Sequence, residues 1–131
     1  MMTKDNARTI SHKSTAISFL RLLIAGKISE AYASYVGQEM RHHNMAFAGD
    51  AASLEKAMED NHHLFPYKII DIKHNLEDGD LVAVHSHVRL RDKEPGVAVV
   101  HLFRFEDDRI TEMWDIGQAV PENAPNKNGM F

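Results

Sequence analysis

The chain has 131 residues, 44% of them hydrophobic and 26% charged, with a formal net charge of −4. This balance fits one soluble domain spanning 1–131, and an acidic chain without a basic run is not expected to bind nucleic acid. Cysteine is absent, which excludes disulfides, thiolate metal sites and a cysteine nucleophile.

Residues 1–10 are polar and read as a terminal arm. A helix is expected from about Ser11 to Ala25, because Ala16, Phe19, Leu20, Leu23 and Ile24 recur at three- and four-residue spacing. Its apolar stretch, Phe19 to Ala25, contains Arg21 and is too short to cross a bilayer, so no membrane partner is expected. With no signal-peptide pattern at the N-terminus, the expected location is the cytoplasm. Gly26 suits the helix stop, and a second short helix follows from about Ile28 to Tyr35. Gln38 to Phe47 has no clean period and reads as a short strand or an irregular turn that presents side chains. Asp50 is a plausible N-cap for a third helix running to about Leu64, before Pro66.

Beyond Pro66 the pattern switches to period two. Strands are expected at about Tyr67–Leu76, Leu81–Arg91, Val97–Phe105 and Arg109–Ala119. Their links are short, so neighbours should be antiparallel. The residues from Pro121 onward read as a surface arm. Three helices followed by four antiparallel strands is an α+β layout: a cone-shaped roll, with the helices packed in a curved antiparallel sheet and a small-molecule pocket at its mouth.

The last two strands hold the groups that look out of place. His101 interrupts an apolar arm, and Asp115 follows the only Trp. A three-residue loop of Glu106, Asp107 and Asp108 would set Phe105 opposite Arg109, His101 opposite Met113 and Asp115 opposite Val99. His101 and Asp115 would then be diagonal neighbours on one face. A two-residue loop would put them on opposite faces. In an apolar pocket such a carboxylate can serve as a base, with His101, or His43 together with Asn44, as the catalytic donor; the Asp115–His101 pair can also be a buried structural contact.

His85-Ser-His87 has a spacing that metal sites use, with His43 or His101 as a third ligand if the register permits. Val82, Val84, Val88 and Leu90 form the cleaner apolar face, however. His85, His87 and Arg89 are therefore expected to point outward, to solvent or a dimer partner, and no metal or organic cofactor is expected. Phe47, Phe65, Val99, Met113 and Trp114 are candidates for lining a pocket, although such residues also serve as plain core.

Three stretches carry a resemblance: Tyr35-Val-Gly-Gln-Glu-Met-Arg-His-His-Asn, Gly79-Asp-Leu-Val-Ala-Val-His-Ser-His-Val and Phe103-Arg-Phe-Glu-Asp-Asp-Arg-Ile-Thr-Glu-Met-Trp-Asp. Over roughly residues 10–131 the chain resembles the SnoaL-like polyketide cyclase family of the nuclear-transport-factor-2-like superfamily, whose cone-shaped fold ketosteroid isomerase shares. The resemblance implies that Asp115 matches a general acid/base on the last long strand and His101 a partner on the strand before it. His43 and Asn44 match a His-Asn pair at the pocket mouth, and His42 stands where many relatives carry Gln or a similar residue. It also implies a homodimer formed through the outer face of the sheet. The expected activity is cofactor-independent acid/base chemistry on a carbonyl compound: aldol-type cyclisation, isomerisation or enolisation. The alternatives are a non-catalytic binding protein for a hydrophobic small molecule and a metal-dependent His-cluster enzyme.

Overall fold

Ser11 starts the first helix. Its backbone is extended (φ −77°, ψ 161°), and its hydroxyl accepts the Ser14 N–H at 3.2 Å. Helix α1, His12–Ile24, then buries Ala16, Phe19 and Leu20. Ser11→Ala should cost about 1 kcal/mol through the loss of this cap, read as a lower urea midpoint with an unchanged slope. Gly26, at φ +82°, turns the chain where a side chain would collide with the His62 ring. Helix α2, Ile28–Tyr35, buries Ile28, Ala31 and Tyr32. Helix α3, Ala51–Leu64, is capped by Asp50, which accepts the Ser53 N–H at 3.0 Å and the Ser53 hydroxyl at 2.6 Å. These helices lie within a residue or so of the expected limits.

The computed structural model describes residues 11–131, and the polar arm expected at 1–10 lies outside them. Its strands are β1 (Val36–His42), β2 (Ile69–Asp78), β3 (Leu81–Arg89), β4 (Val97–Glu106) and β5 (Arg109–Ala119), in the sheet order β1-β5-β4-β3-β2. The four expected strands pair antiparallel in sequence. β1 corrects the purely antiparallel expectation: it is a fifth, edge strand, parallel to β5. Its register with β5 breaks between Val36 and Arg41, and Gln38 and Glu39 are both exposed, so no period marks it. β2 starts two residues later than expected because Tyr67 stays in solvent.

One face of the sheet carries Val82, Val84, Phe103, Phe105, Ile110 and Met113 against the helices. Phe19 meets Phe103 and Tyr32 edge-on, with ring centroids 5.9 and 5.6 Å apart. The other face is made of rows. Leu76, Ala83, Leu102 and Trp114 are successive cross-strand partners, and beside them run His74, His85, Val100 and Ile116. His85 and His87 thus lie on this outer face, as expected. The tail returns to the same face, where the Phe131 ring stacks on His87 at 4.5 Å and lies 5.7 Å from His85. Among the described residues, no helix is long and apolar enough to cross a membrane.

Candidate functional site

The β4–β5 turn decides which residues meet. It is tighter than expected: Glu106 pairs with Arg109, and only Asp107 and Asp108 form the loop, at φ +51° and +62°. Two left-handed residues make the turn type that matches strand twist, and Asp tolerates that conformation better than most residues. A two-residue turn alone would have set His101 opposite Trp114, with Asp115 on the other face. A bulge at Thr111 prevents this. Phe105 pairs with Ile110, but Arg104 pairs with Glu112, so the register shifts by one residue. His101 and Asp115 become direct cross-strand partners on the helix-covered face, rather than diagonal neighbours. Val99 is next along that face and pairs with Gly117 instead of Asp115.

The two groups sit in different surroundings. His101 is half-buried beside Val84 and Phe103, and its Nδ1 is buried with no hydrogen-bond partner among the described residues. Burial pushes its pKa down to about 4, opposed in part by the charge of Asp115. The imidazole is therefore neutral at pH 7. Asp115 lies at the end of the row and is exposed, so it does not have the enclosed apolar setting expected for it.

Asn44 reaches Asp115 from the loop after β1. Its Nδ2 donates to Asp115 Oδ2 at 3.0 Å, while its Oδ1 accepts the Ala46 N–H at 2.9 Å. The Ala46 bond fixes the amide, so an N–H must face the carboxylate. His42 in turn fixes Asn44. It is buried, its Nε2 donates to the Ala48 carbonyl at 2.6 Å, and its Nδ1 then accepts the Asn44 N–H at 3.2 Å. Sequence reasoning noted His42 only as a departure from the family pattern. Its signal was its place, one residue before the His-Asn pair in a loop with few other anchors.

His43 and Trp114 do not join this row. Both project from the outer face, where their rings stack at 4.9 Å. His43 Nε2 donates to Glu112 Oε2 at 2.7 Å, and Arg41 and Arg104 hold the other carboxylate oxygen at 3.3 and 3.4 Å. The His43 hydrogen bond, aided by the arginines, lowers the pKa of Glu112. His43, expected with Asn44 at the pocket mouth, and Trp114, expected to line the pocket, are therefore found on the outer face: the Thr111 bulge sends Glu112 and Trp114 outward, and His43 follows them along β1. Glu112 was missed; its signal was a carboxylate across the hairpin from Arg104. Of the remaining candidates, Met113 is buried core on the helix side, and Phe47 is 44% exposed on the loop after Asn44. Phe65 is half-buried after α3, with the Arg91 guanidinium 4.8 Å above its ring.

His74 Nδ1 and His85 Nδ1 lie 3.1 Å apart on the outer face. Among the described residues, no three His, Asp or Glu converge as metal ligands would.

A family model described as the SnoaL-like domain matches residues 15–113. No curated protein compared with the chain matches it. Among solved structures, an uncharacterised cystatin-fold protein from Novosphingobium aromaticivorans is 21% identical, with 82% of this chain and 98% of that one covered and a TM-score of 0.68. A candidate polyketide cyclase from Acidithiobacillus ferrooxidans is 20% identical over 85% and 90% of the two chains, with a TM-score of 0.67. A candidate ketosteroid isomerase from Kribbella flavida is 16% identical over 88% and 84%, with a TM-score of 0.65. At these identities the likeness is one of fold.

Proposed function

The chain belongs to the SnoaL-like domain family, and from that premise we propose that it binds a small carbonyl compound and catalyses cofactor-independent proton transfer next to the carbonyl. Aldol-type cyclisation, isomerisation and enolisation all begin with that step. The observation that carries the reading is the direct pairing of Asp115 with a neutral His101. Asp115 takes the proton from carbon. Asn44 holds the Asp115 carboxylate in place through Oδ2, leaving Oδ1 to act. His101 donates an N–H to the developing enolate oxygen. A neutral imidazole can do this, as in triosephosphate isomerase, a known case of the same device.

The exposure of Asp115 favours a second reading, in which the same row binds a hydrophobic small molecule without turning it over. Deuterium exchange at the α-carbon of a simple β-diketone, followed by NMR with and without the protein, separates the two. Protein-catalysed exchange supports the enzyme. Saturable binding of the diketone without exchange supports the binding protein.

In this reading the chain works in the cytoplasm as a homodimer joined through the outer face. Leu76 and Ile116 are 68% and 59% exposed there, in rows continuous with Leu102, Trp114 and Val100. Leu102→Glu should shift sedimentation at micromolar concentration from dimer to monomer. A wild-type protein already monomeric there would remove the dimer from the proposal and leave the site as it stands.

A further inference from the structure

We propose that His74 and His85, opposite each other on β2 and β3, form a two-imidazole chelate for a divalent transition-metal ion of the Cu²⁺, Ni²⁺ and Zn²⁺ class. The site lies on the outer face of the sheet and shares no residue with Asp115, His101 or Asn44. A bulge builds it. Ile72 stands opposite Ser86, so an unbroken ladder would bring Lys73 to His85 and turn His74, opposite Val84, to the helix-covered face. The register shifts between Ile72 and His74 instead, and His74 faces His85 directly.

The two Nδ1 atoms are 3.1 Å apart. The rings are within 4° of parallel and their centroids are 5.3 Å apart, so the nitrogens are the parts of the rings that approach each other. Among the described residues, neither ring has another hydrogen-bond partner. The spacing is one that a metal ion sets. Imidazole nitrogens bound to one ion at about 2.0–2.1 Å stand about 2.9 Å apart at a right angle and about 3.3 Å apart at the tetrahedral angle. The observed distance lies between these, so the strands need not move. Each ring turns about its own side-chain bonds until both lone pairs meet on the solvent side. One Nδ1 carries the proton of the present hydrogen bond. On binding, that proton passes to Nε2 of the same ring, both rings offer a bare Nδ1, and no net proton is released.

The pair is open to an incoming ion. His74 is exposed, and β2 is an edge strand of the sheet. Lys73, the adjoining cation, is paired with Asp71 at 2.8 Å, so it adds little net charge. The Phe131 ring, 5.7 Å from His85, flanks one side. No third side chain joins the two. His87 Nε2 donates to the Pro95 carbonyl at 2.7 Å, His43 is held by Glu112, and His101 is on the opposite face. Water therefore completes the coordination, as at an open site rather than a closed structural centre. Because the ion ties β2 to β3 only where the strands are paired, binding stabilises the native chain.

The test uses the full chain and Cu²⁺, the tightest-binding probe in the order of divalent affinities. Isothermal titration in a non-chelating buffer should give one saturable ion per chain. The electron paramagnetic resonance spectrum of the complex should show two imidazole nitrogens on the copper. His74→Gln and His85→Gln should each weaken binding about tenfold or more, because a chelate becomes a single ligand. Both changes lie on the outer face and should leave the metal-free melting temperature as it is, which separates loss of the site from loss of the fold. Saturating copper should raise the melting temperature of the wild type and not of these variants. His63→Gln, at the exposed end of α3, and Asp115→Asn should leave the affinity unchanged. The absence of saturable binding up to millimolar copper would overturn the proposal. So would a spectrum without two nitrogens, wild-type affinity in both His74→Gln and His85→Gln, or an equal loss in His63→Gln, which would mean scattered binding to surface histidines. The outcome is independent of the carbonyl chemistry, because the two sites share no residue.

Discussion

Asp115→Asn should lower α-carbon exchange about 10²- to 10⁴-fold, the usual contribution of a positioned base, without lowering the melting temperature. The side chain keeps its shape and remains on the exposed end of its row. Asn44 Nδ2 still finds an acceptor, because an Asn at 115 can turn its own carbonyl oxygen toward it. The fold therefore loses little while the base is gone. The same change removes the charge that lifts the pKa of His101, so that pKa should fall further. Replacing His101 with Ala should cost less rate than Asp115→Asn if solvent or substrate can partly supply the donor. Asn44→Ala should act between them, since it frees the carboxylate without removing it. A melting temperature that falls with Asp115→Asn while exchange persists would assign the pair to structure and end the catalytic proposal.

The helices were legible from their apolar spacing and their breakers, and α1 and α3 also carry a capping side chain at the start, which α2, preceded by Lys27, does not. Ser11 and Asp50 cap, Gly26 and Pro66 interrupt, and the apolar stripe between them has a helical period. The four long strands were legible from period two. β1 was not, because it is an edge strand with its register broken within a few residues, and an edge position leaves Gln38 and Glu39 in water. The turn was half legible. A short acidic loop was expected there, but it is one residue shorter, with Asp107 and Asp108 both left-handed. That error would have separated His101 from Asp115 had Thr111 not bulged. Thr111 has no side-chain feature that marks a bulge in advance, and its effect appears only when the strands are paired. The shared face of His101 and Asp115 was thus expected for a reason the structure replaces. Their direct pairing and the outward turn of Trp114 have the same cause.

Stability should fall as the pH drops from about 6.5 to about 4, and part of that fall should belong to His101. The native pKa is about 4, against an ordinary 6.5. Between those values the unfolded chain takes up a proton that the native imidazole refuses, so protonation favours unfolding. The contribution is fully present above pH 6.5, declines as the pH falls through that window, and changes no further below about 4. The span between the two pKa values corresponds to a loss of up to about 3 kcal/mol, less where water reaches the half-buried ring. The groups around His101 agree with the direction. Val84 and Phe103 supply apolar contact, and Asp115, the charge that opposes the shift, is exposed and screened. Because other histidines and carboxylates also titrate here, the measurement is a difference: urea stability against pH for the wild type and for His101→Gln, which keeps a polar side chain but cannot titrate. The wild-type curve should be steeper between pH 6.5 and 4, and the two should run parallel above pH 7. Parallel curves throughout would mean that His101 titrates normally, and the neutral-donor role would fall with them. If His101 does remain neutral, the exchange rate should not decline as pH rises through 6.5, whereas a cationic imidazole acting as an acid would lose its proton, and the reaction its rate, in that range.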